Sequence, residues 1–235
     1  MRPVREQLSA SGNLSDRVAR YLVDHIRRNR LTSGAAIPSE IRLSAQLDVS
    51  RGIVREAYRS LGTAGILDIA NGRPPRVGRL SNRAFRQFLQ HALSTEQASV
   101  EQVFDVRSSL EVRAAELAAD RRSDEDADAL VQEVEHMRAS SNRRERFVKA
   151  DLRFHEIIGH AAANPLFGLL GSALRESLTI TIRAGFDSRH SSAELARVVE
   201  IHAGIADAIV RRDPAGAERW MTTHFREARE FVLAK

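Results

Sequence analysis

The 235-residue chain contains no cysteine. Disulfide bonds, thiolate-bound zinc and a cysteine nucleophile are therefore excluded, and any metal site must use oxygen and imidazole ligands. No apolar run reaches the roughly 18 residues that a membrane-spanning helix needs, and the N-terminus has no charged-then-apolar signal segment. These absences favour a soluble protein of the cytoplasm.

Residues that interrupt or disfavour helix are also scarce. Aromatic residues make up 5% of the chain and there are only six prolines, whereas Ala, Leu, Arg and Glu are abundant. This composition predicts a mainly α protein. The length suits one large domain or two modest ones.

Positive charge is concentrated in the first third of the chain. Residues 1–80 contain 14 Lys and Arg against 7 Asp and Glu, whereas residues 81–235 contain 22 against 24. The asymmetry indicates a nucleic-acid-binding module joined to a domain of another kind. We therefore predict a DNA-binding domain over residues 1–80, a linker over 81–98 and a second domain over 99–235.

Three helices are predicted in the basic third. Apolar residues take helical spacing from Leu14 onward, Ser39 is placed to cap a short helix through Leu47, and Ser50 is placed to cap a further helix that Gly65 ends. The short turn between the last two makes them a helix-turn-helix.

The last of these helices has the features of a DNA-reading helix. Arg51 and Arg55 lie off its apolar face near the N-terminal end, where recognition helices meet base edges. Arginine can bind guanine through two hydrogen bonds. Gly52 removes a side chain and allows close approach, and Ser50 with the helix N-terminus suits a phosphate.

A β-hairpin is predicted after the third helix. The segment "ILDIANGRPPRVGRL" contains an Asn71-Gly72 turn between two short apolar runs, with Arg73 and Arg76 near its tip. Alone, the hairpin is equally consistent with ordinary solvated arginines. Behind a helix-turn-helix, it predicts a wing, and so a winged helix-turn-helix of three helices plus a hairpin.

The segment "IPSEIRLSAQLDVSRGIVREAYRSLGTAGIL" resembles the winged helix-turn-helix of GntR-type transcription regulators, and the match spans roughly residues 14–79. The resemblance implies DNA contacts by Arg51, Gly52 and Arg55 in the reading helix and by Gly72 at the wing tip.

The sequence departs from the GntR pattern at one position. The arginine that usually follows P-S-E and contacts DNA is replaced by Ile41, with Arg42 beside it. Either Arg42 takes over that contact or the contact is lost.

The rest of the chain predicts an all-α bundle of six helices. The predicted segments are about 99–120, 123–140, 144–162, 165–185, 191–211 and 213–233. Three apolar stripes carry polar residues at their centre: Asp151 and His155 on the third segment, His202 on the fifth and His224 on the sixth. Burial of such groups is costly unless they are paired or bound to metal, so the four residues indicate a metal site.

An inward-facing arginine accompanies the predicted metal ligands. Arg107 lies on the apolar face of the first bundle helix without an obvious acidic partner, and it could bind a carboxylate. Ser177 and Asn164 are expected to face the same cavity. Each has an alternative role, helix-face packing for Ser177 and a helix cap for Asn164.

The same residues resemble the FCD ligand-binding domain of the FadR subfamily of GntR-type regulators. Its metal-binding members have a D-x-x-x-H pair on one helix and a single histidine on each of the last two, which Asp151, His155, His202 and His224 match. The resemblance covers about residues 99–232. It implies a small carboxylate effector bound by the metal and by an arginine of the first helix, and not a fatty-acyl effector.

Three imidazoles and a carboxylate suit one divalent Zn, Ni, Mn or Fe ion per chain, with zinc expected after purification. We predict a ligand-responsive transcription regulator, a repressor, that binds a palindromic operator as a homodimer. Two alternatives use the same four residues. One is a metal-dependent hydrolase, for which Glu111 and Glu156 are the only nearby candidates for a general base. The other is a regulator with a purely structural metal.

Overall fold

The computed structural model describes residues 13–70, 72–140, 143–178 and 192–233. It divides the chain into two compact units, Met1–Ala84 and Phe85–Lys235. Asn71 of the predicted turn and residues 179–185 of the predicted fourth bundle helix lie outside the described residues.

The first unit contains the predicted three helices and hairpin. Its elements are α1 (Leu14–Arg28), α2 (Glu40–Leu47), α3 (Arg51–Thr63), β1 (Leu67–Asp68) and β2 (Arg76–Val77). The predicted caps are confirmed, since Ser39 Oγ accepts the Arg42 N–H at 3.3 Å and Ser50 Oγ accepts the Ile53 N–H at 3.4 Å. The strands pair antiparallel, with Leu67 opposite Val77.

The apolar faces of the three helices form one core. Val18, Leu43, Val54 and Leu67 bring α1, α2, α3 and β1 into it, each almost fully buried. Burial of a side chain of this size contributes roughly 1.5–3 kcal/mol. The Tyr58 hydroxyl of α3 donates to the carbonyl of Pro38 just before α2. Because these contacts use one side of α3, its opposite side remains exposed.

The second unit consists of helices, and the six predicted bundle helices are present. They are α5 (Val100–Arg121), α6 (Asp124–Arg138), α7 (Arg144–Ala161), α8 (Pro165–Ser177), α9 (Ser192–Val210) and α10 (Pro214–Leu233), preceded by α4 (Arg83–Ser94). Helix α5 begins with a capping box formed by Ser99 and Gln102. It packs against α7, α8, α9 and α10, and so lies at the centre of the bundle.

The segment 81–98, predicted as a linker, contains helix α4. Leu89 of this helix is buried in the core of the second unit, Phe85 packs against that core, and Ala92 is also buried. Their spacing of three and four residues is typical of a helix and is visible in the sequence. The second unit therefore begins within α4, at Phe85.

None of the helices that the structure describes is long and apolar enough to cross a membrane.

Candidate DNA-reading face and metal centre

The exposed side of α3 carries the residues predicted to read DNA. Arg51, Gly52 and Arg55 are all exposed at its N-terminal end. Arg55 Nε donates to Glu40 Oε2 at 3.2 Å. An exposed ion pair of this kind adds little stability, but it restricts the directions that the guanidinium can take. The N-terminus of α2 therefore lies beside the reading helix.

The structure does not require glycine at position 52. A β-carbon there would meet nothing closer than Ser50 Oγ at 3.9 Å, an ordinary contact. Gly72 differs, because its φ of +74° is a conformation that favours glycine, although the space around it is open. Arg73, beside Gly72, is exposed. The backbone conformation of the loop therefore favours glycine at position 72. At position 52 the fold does not require glycine, and the absence of a side chain leaves room for an external partner.

The first turn of α2 displays Ile41 and Arg42 to solvent. Ile41 is 61% exposed, an unusual environment for a large apolar side chain, and Arg42 is exposed as well. Arg76 has a structural contact instead, since its Nη1 donates to the Gly34 carbonyl at 2.7 Å. Arg76 therefore ties the hairpin to the loop before α2.

The four predicted metal ligands come together in the second unit. His155 on α7, His202 on α9 and His224 on α10 each have a ring nitrogen within 4.8 Å of the others. Asp151 Oδ1 lies 3.0 Å from His202 Nε2 and 3.8 Å from His155 Nε2. His155 and His202 are buried, and the other two are half-buried. Four groups from three helices thus converge on one point.

The hydrogen bond of His202 to its own helix leaves its other nitrogen free for a cation. His202 Nδ1 lies 2.8 Å from the Val198 carbonyl, to which it can only donate. Its Nε2 is buried and has no aligned hydrogen-bond partner among the described residues. In the neutral imidazole, a lone pair on Nε2 therefore faces a carboxylate oxygen at 3.0 Å. Such a pair repels unless a proton or a metal ion lies between the two atoms.

The 3.0 Å distance between His202 Nε2 and Asp151 Oδ1 suits two ligands of one metal ion. Two neighbouring ligands of one octahedral ion, with bonds of about 2.1 Å, lie about 3 Å apart. Burial lowers the pKa of His155, and burial together with the neighbouring histidines lowers that of His224 well below 6.5. Burial would raise the pKa of Asp151, but His202 and His155 hold it below its usual value. Neutral imidazoles and an ionised carboxylate are the protonation states that bind metals.

Arg107 is buried on the inward face of α5, as predicted, but the expectation that it lacks an acidic partner is wrong. Its Nε donates to Glu111 Oε1 at 2.7 Å, because residues four apart share a helix face. Arg175 Nη2 donates to the same oxygen at 3.0 Å. Glu111 Oε2 contacts His155 Nδ1. The guanidinium of Arg107 also lies over the Phe225 ring, 5.1 Å from its centroid.

Arg175 is a functional candidate that was not predicted from the sequence, and Glu111 was named there only as a possible general base. Both are buried, with exposures of 3% and 4%. Burial would raise the pKa of Glu111, but Arg107, Arg175 and His155 together hold it well below its usual value. The four-residue spacing from Arg107 was a signal that could have identified Glu111; the contact with Arg175 depends on the tertiary fold.

The two weaker effector candidates make local hydrogen bonds. Asn164 Oδ1 accepts the Leu166 N–H at 3.1 Å and caps α8. Ser177 Oγ donates to the Ala173 carbonyl at 2.8 Å, one turn earlier in the same helix. These are the alternative roles that the sequence left open, and an effector contact by either residue stays a prediction.

Both units match known protein families. The gntR family of bacterial regulatory proteins matches residues 14–77, and the FCD domain matches residues 102–227. The HTH-type transcriptional repressor NanR of Cronobacter sakazakii is 30% identical over 227 residues, which cover 92% of this chain and 84% of that protein. NanR of Escherichia coli K12 is 30% identical over 237 residues, covering 95% and 86%.

Solved structures are similar over nearly the whole length. The "Streptococcus agalactiae GntR" structure superposes with a TM-score of 0.69 at 25% identity, covering 92% of this chain and 99% of the other. The "E. coli McbR/YncC" structure shares the fold, with a TM-score of 0.53 at 18% identity over 94% of this chain and 98% of the other.

Proposed function

The chain belongs to the GntR family of bacterial regulatory proteins and is a DNA-binding transcription regulator with an FCD domain, and we propose that a metal-centred pocket in that domain controls DNA binding. The pocket holds one divalent transition metal through Asp151, His155, His202 and His224. A small carboxylate acid binds to the metal and changes the affinity of the protein for its operator.

The DNA-binding part of the proposal rests on the exposed side of α3 and on the wing. Arg51 and Arg55 read base edges, and the absence of a side chain at Gly52 allows close approach. The Ser50 hydroxyl caps α3 through its oxygen and can still donate its hydrogen to a phosphate. Gly72, Arg73 and Arg42 add contacts outside the reading helix. A homodimer places two such faces on a palindromic operator in the cytoplasm.

The observation that carries the metal proposal is the approach of His202 Nε2 to Asp151 Oδ1 at 3.0 Å without an aligned hydrogen bond. The Val198 carbonyl holds the tautomer that points a lone pair at this carboxylate. The ligand set suits Zn, Ni, Mn or Fe, and we expect zinc in purified protein. A bound ion would supply a Lewis-acidic centre with open positions for a chelating acid.

Arg107 gives the proposed effector site its second anchor. Its guanidinium lies beside the centre, 5.1 Å from the centroid of the Phe225 ring, which is itself 5.2 Å from the His224 ring. Its Nε is used by Glu111, and a planar guanidinium offers four further N–H donors for a carboxylate. Because the metal ligands lie on α7, α9 and α10, an acid bound there acts on three helices at once. We propose that it releases the protein from its operator, since its relatives are named as repressors.

The hydrolase alternative lacks a suitable general base among the described residues. Glu156 is exposed and pairs with Arg153 at 3.2 Å. Glu111 is fixed by two arginines and a histidine, and its lowered pKa makes it a weak base. The known relatives are regulators as well. We therefore propose that the centre binds its ligand without cleaving it.

A thermal-shift screen tests the effector proposal. Zinc-loaded and chelator-stripped wild-type protein are each incubated with a panel of small di- and hydroxycarboxylates. We expect at least one acid to raise the melting temperature of the loaded protein only, because a ligand that binds the folded state stabilises it. That acid should also weaken operator binding in a gel-shift assay. If zinc binds but no acid acts, the metal is structural.

A further inference from the structure

We infer that Glu111 is a positioning residue of the metal centre, which fixes the tautomer of His155 and so directs its Nε2 toward the ion. This inference rests on the proposed metal site. It assigns to α5 a part in metal binding that acts through His155, although the four proposed ligands lie on other helices. The inference depends on three contacts of one carboxylate.

The first contact joins Glu111 to a proposed ligand. Glu111 Oε2 contacts His155 Nδ1 as an ion pair that is not aligned as a hydrogen bond, and both side chains are almost fully buried. An ionised carboxylate oxygen attracts an N–H group and repels a ring lone pair, so this contact favours the tautomer with its proton on Nδ1. The lone pair of the ring is then on Nε2, the nitrogen that lies 3.8 Å from Asp151 Oδ1.

The other two contacts fix the carboxylate itself. Glu111 Oε1 accepts from Arg107 Nε at 2.7 Å and from Arg175 Nη2 at 3.0 Å. Arg175 Nη1 also donates to the Leu152 carbonyl of α7, one turn before His155. Two guanidiniums on one oxygen keep Glu111 ionised and stop its carboxyl group from rotating. Its second oxygen is therefore held against His155.

His202 shows the same arrangement with a different acceptor. Its Nδ1 donates to the Val198 carbonyl, and its Nε2 faces Asp151. Metal-binding histidines in general donate their second N–H to a carbonyl or carboxylate, which orients the ring and makes the ligand more basic. A carboxylate does this more strongly than a carbonyl because the hydrogen bond is charge-assisted. We therefore expect Glu111 to make His155 a stronger metal ligand than His202.

Glu111→Gln is the most informative substitution, because it reverses the polarity at His155. The amide oxygen must face the two guanidiniums, so the amide NH2 group faces Nδ1 and donates to it. His155 then carries its proton on Nε2, where it blocks metal binding. The matched control is Glu116→Gln, which removes a partly exposed carboxylate from the same helix, where it pairs with Arg113.

The affinity for Zn²⁺ is measured by competition with a chromophoric chelator. We expect Glu111→Gln to weaken binding about 10–100-fold, the usual effect of removing such a partner, and Glu116→Gln to leave it unchanged. Equal affinity in the wild type and Glu111→Gln would overturn the inference while leaving the metal proposal intact. A wild type that does not bind Zn²⁺ would instead overturn the metal proposal.

A second measurement needs no variant. Long-range ¹⁵N–¹H NMR correlation spectra of the metal-free wild-type protein report which ring nitrogen of His155 carries the proton. We expect the proton on Nδ1. A proton on Nε2 would overturn the inference whatever Glu111→Gln does. A purely structural ion-pair role for Glu111 would not determine this signal.

Discussion

At the scale of single residues, the hydrogen bond on one nitrogen of a histidine decides what the other nitrogen can do. His202 and His155 each have Nδ1 against an acceptor, so each directs a lone pair toward Asp151. The sequence predicted these three residues and His224 because a polar group at the centre of an apolar stripe is costly to bury without a partner. It named Glu111 only as a possible general base, because nothing in the sequence shows that a carboxylate of one helix lies behind a ligand of another.

Protonation of the centre should make the stability of the metal-free protein depend on pH. The pKa values of His155 and His224 in the folded state lie below the ordinary value of 6.5, so the unfolded chain binds more protons as the pH falls below that value. Glu111 and Asp151 also have lowered pKa values, and their contribution to stability is lost at still lower pH. All four shifts act in the same direction.

We therefore expect the melting temperature of chelator-treated protein to fall between about pH 7.5 and about pH 5.5. Calorimetry in buffers of matched ionic strength measures it. Zn²⁺ should raise the melting temperature more at the higher pH, because protons compete with the ion for the ligands. A melting temperature that stays constant or rises on acidification would contradict the protonation states described for the centre.

A substitution at Gly52 should have opposite effects on the stability of the protein and on its affinity for DNA. A β-carbon at position 52 would make only an ordinary contact with the rest of the protein. Because alanine favours helix over glycine, Gly52→Ala should stabilise α3 by about 0.5–1 kcal/mol. The added methyl group should at the same time weaken operator binding, roughly tenfold for about 1.4 kcal/mol of lost contact. Chemical denaturation and fluorescence anisotropy measure the two effects. Parallel changes in stability and binding would mean that Gly52 does not approach DNA.

At the scale of elements, the bounds of most helices could be predicted because caps and apolar spacing are local. Ser39, Ser50 and the apolar stripes place α2, α3 and the other bundle helices to within a few residues, whereas α8, predicted over 165–185, ends at Ser177. Helix α4 was not predicted as part of the bundle, because its buried residues have meaning only when α5 and the rest of the core are present. Tertiary packing, and not local propensity, assigns α4 to the second unit.

Truncation of Leu89 tests the role of α4. Leu89 is 8% exposed within the core of the second unit, whereas Phe88 on the same helix is 63% exposed. Leu89→Ala should lower the free energy of unfolding by about 2–5 kcal/mol. Phe88→Ala is the matched control and should change it by no more than about 0.5 kcal/mol. Equal effects of the two substitutions in urea denaturation would mean that α4 is a linker and does not belong to the core of the second unit.

At the scale of the whole molecule, one chain combines a DNA-reading unit with a ligand-binding unit. The charge asymmetry along the sequence and the quoted motifs were sufficient to predict this division and the family. The contacts of Glu111 with Arg175 and His155 could not be predicted, because they join α5, α7 and α8 across the bundle. The identity of the effector depends on such contacts.

The two functions should be separable by substitution. Arg55→Ala should weaken specific operator binding by about 1–3 kcal/mol, because it removes a contact to base edges, while metal content and stability stay unchanged. Arg27→Ala, which removes a highly exposed arginine of α1, is the control and should bind DNA like the wild type. Wild-type affinity in Arg55→Ala would contradict the assignment of α3 as the reading helix.

The metal content of the purified protein tests the central proposal most directly. Elemental analysis of protein prepared without chelators should give about one transition-metal ion per chain for the stated ligand set. The double variant His202→Ala, His224→Ala should contain none, whereas His136→Ala, which alters an exposed histidine outside the centre, should retain it. A metal-free wild type that also fails to take up added Zn²⁺ would contradict the account.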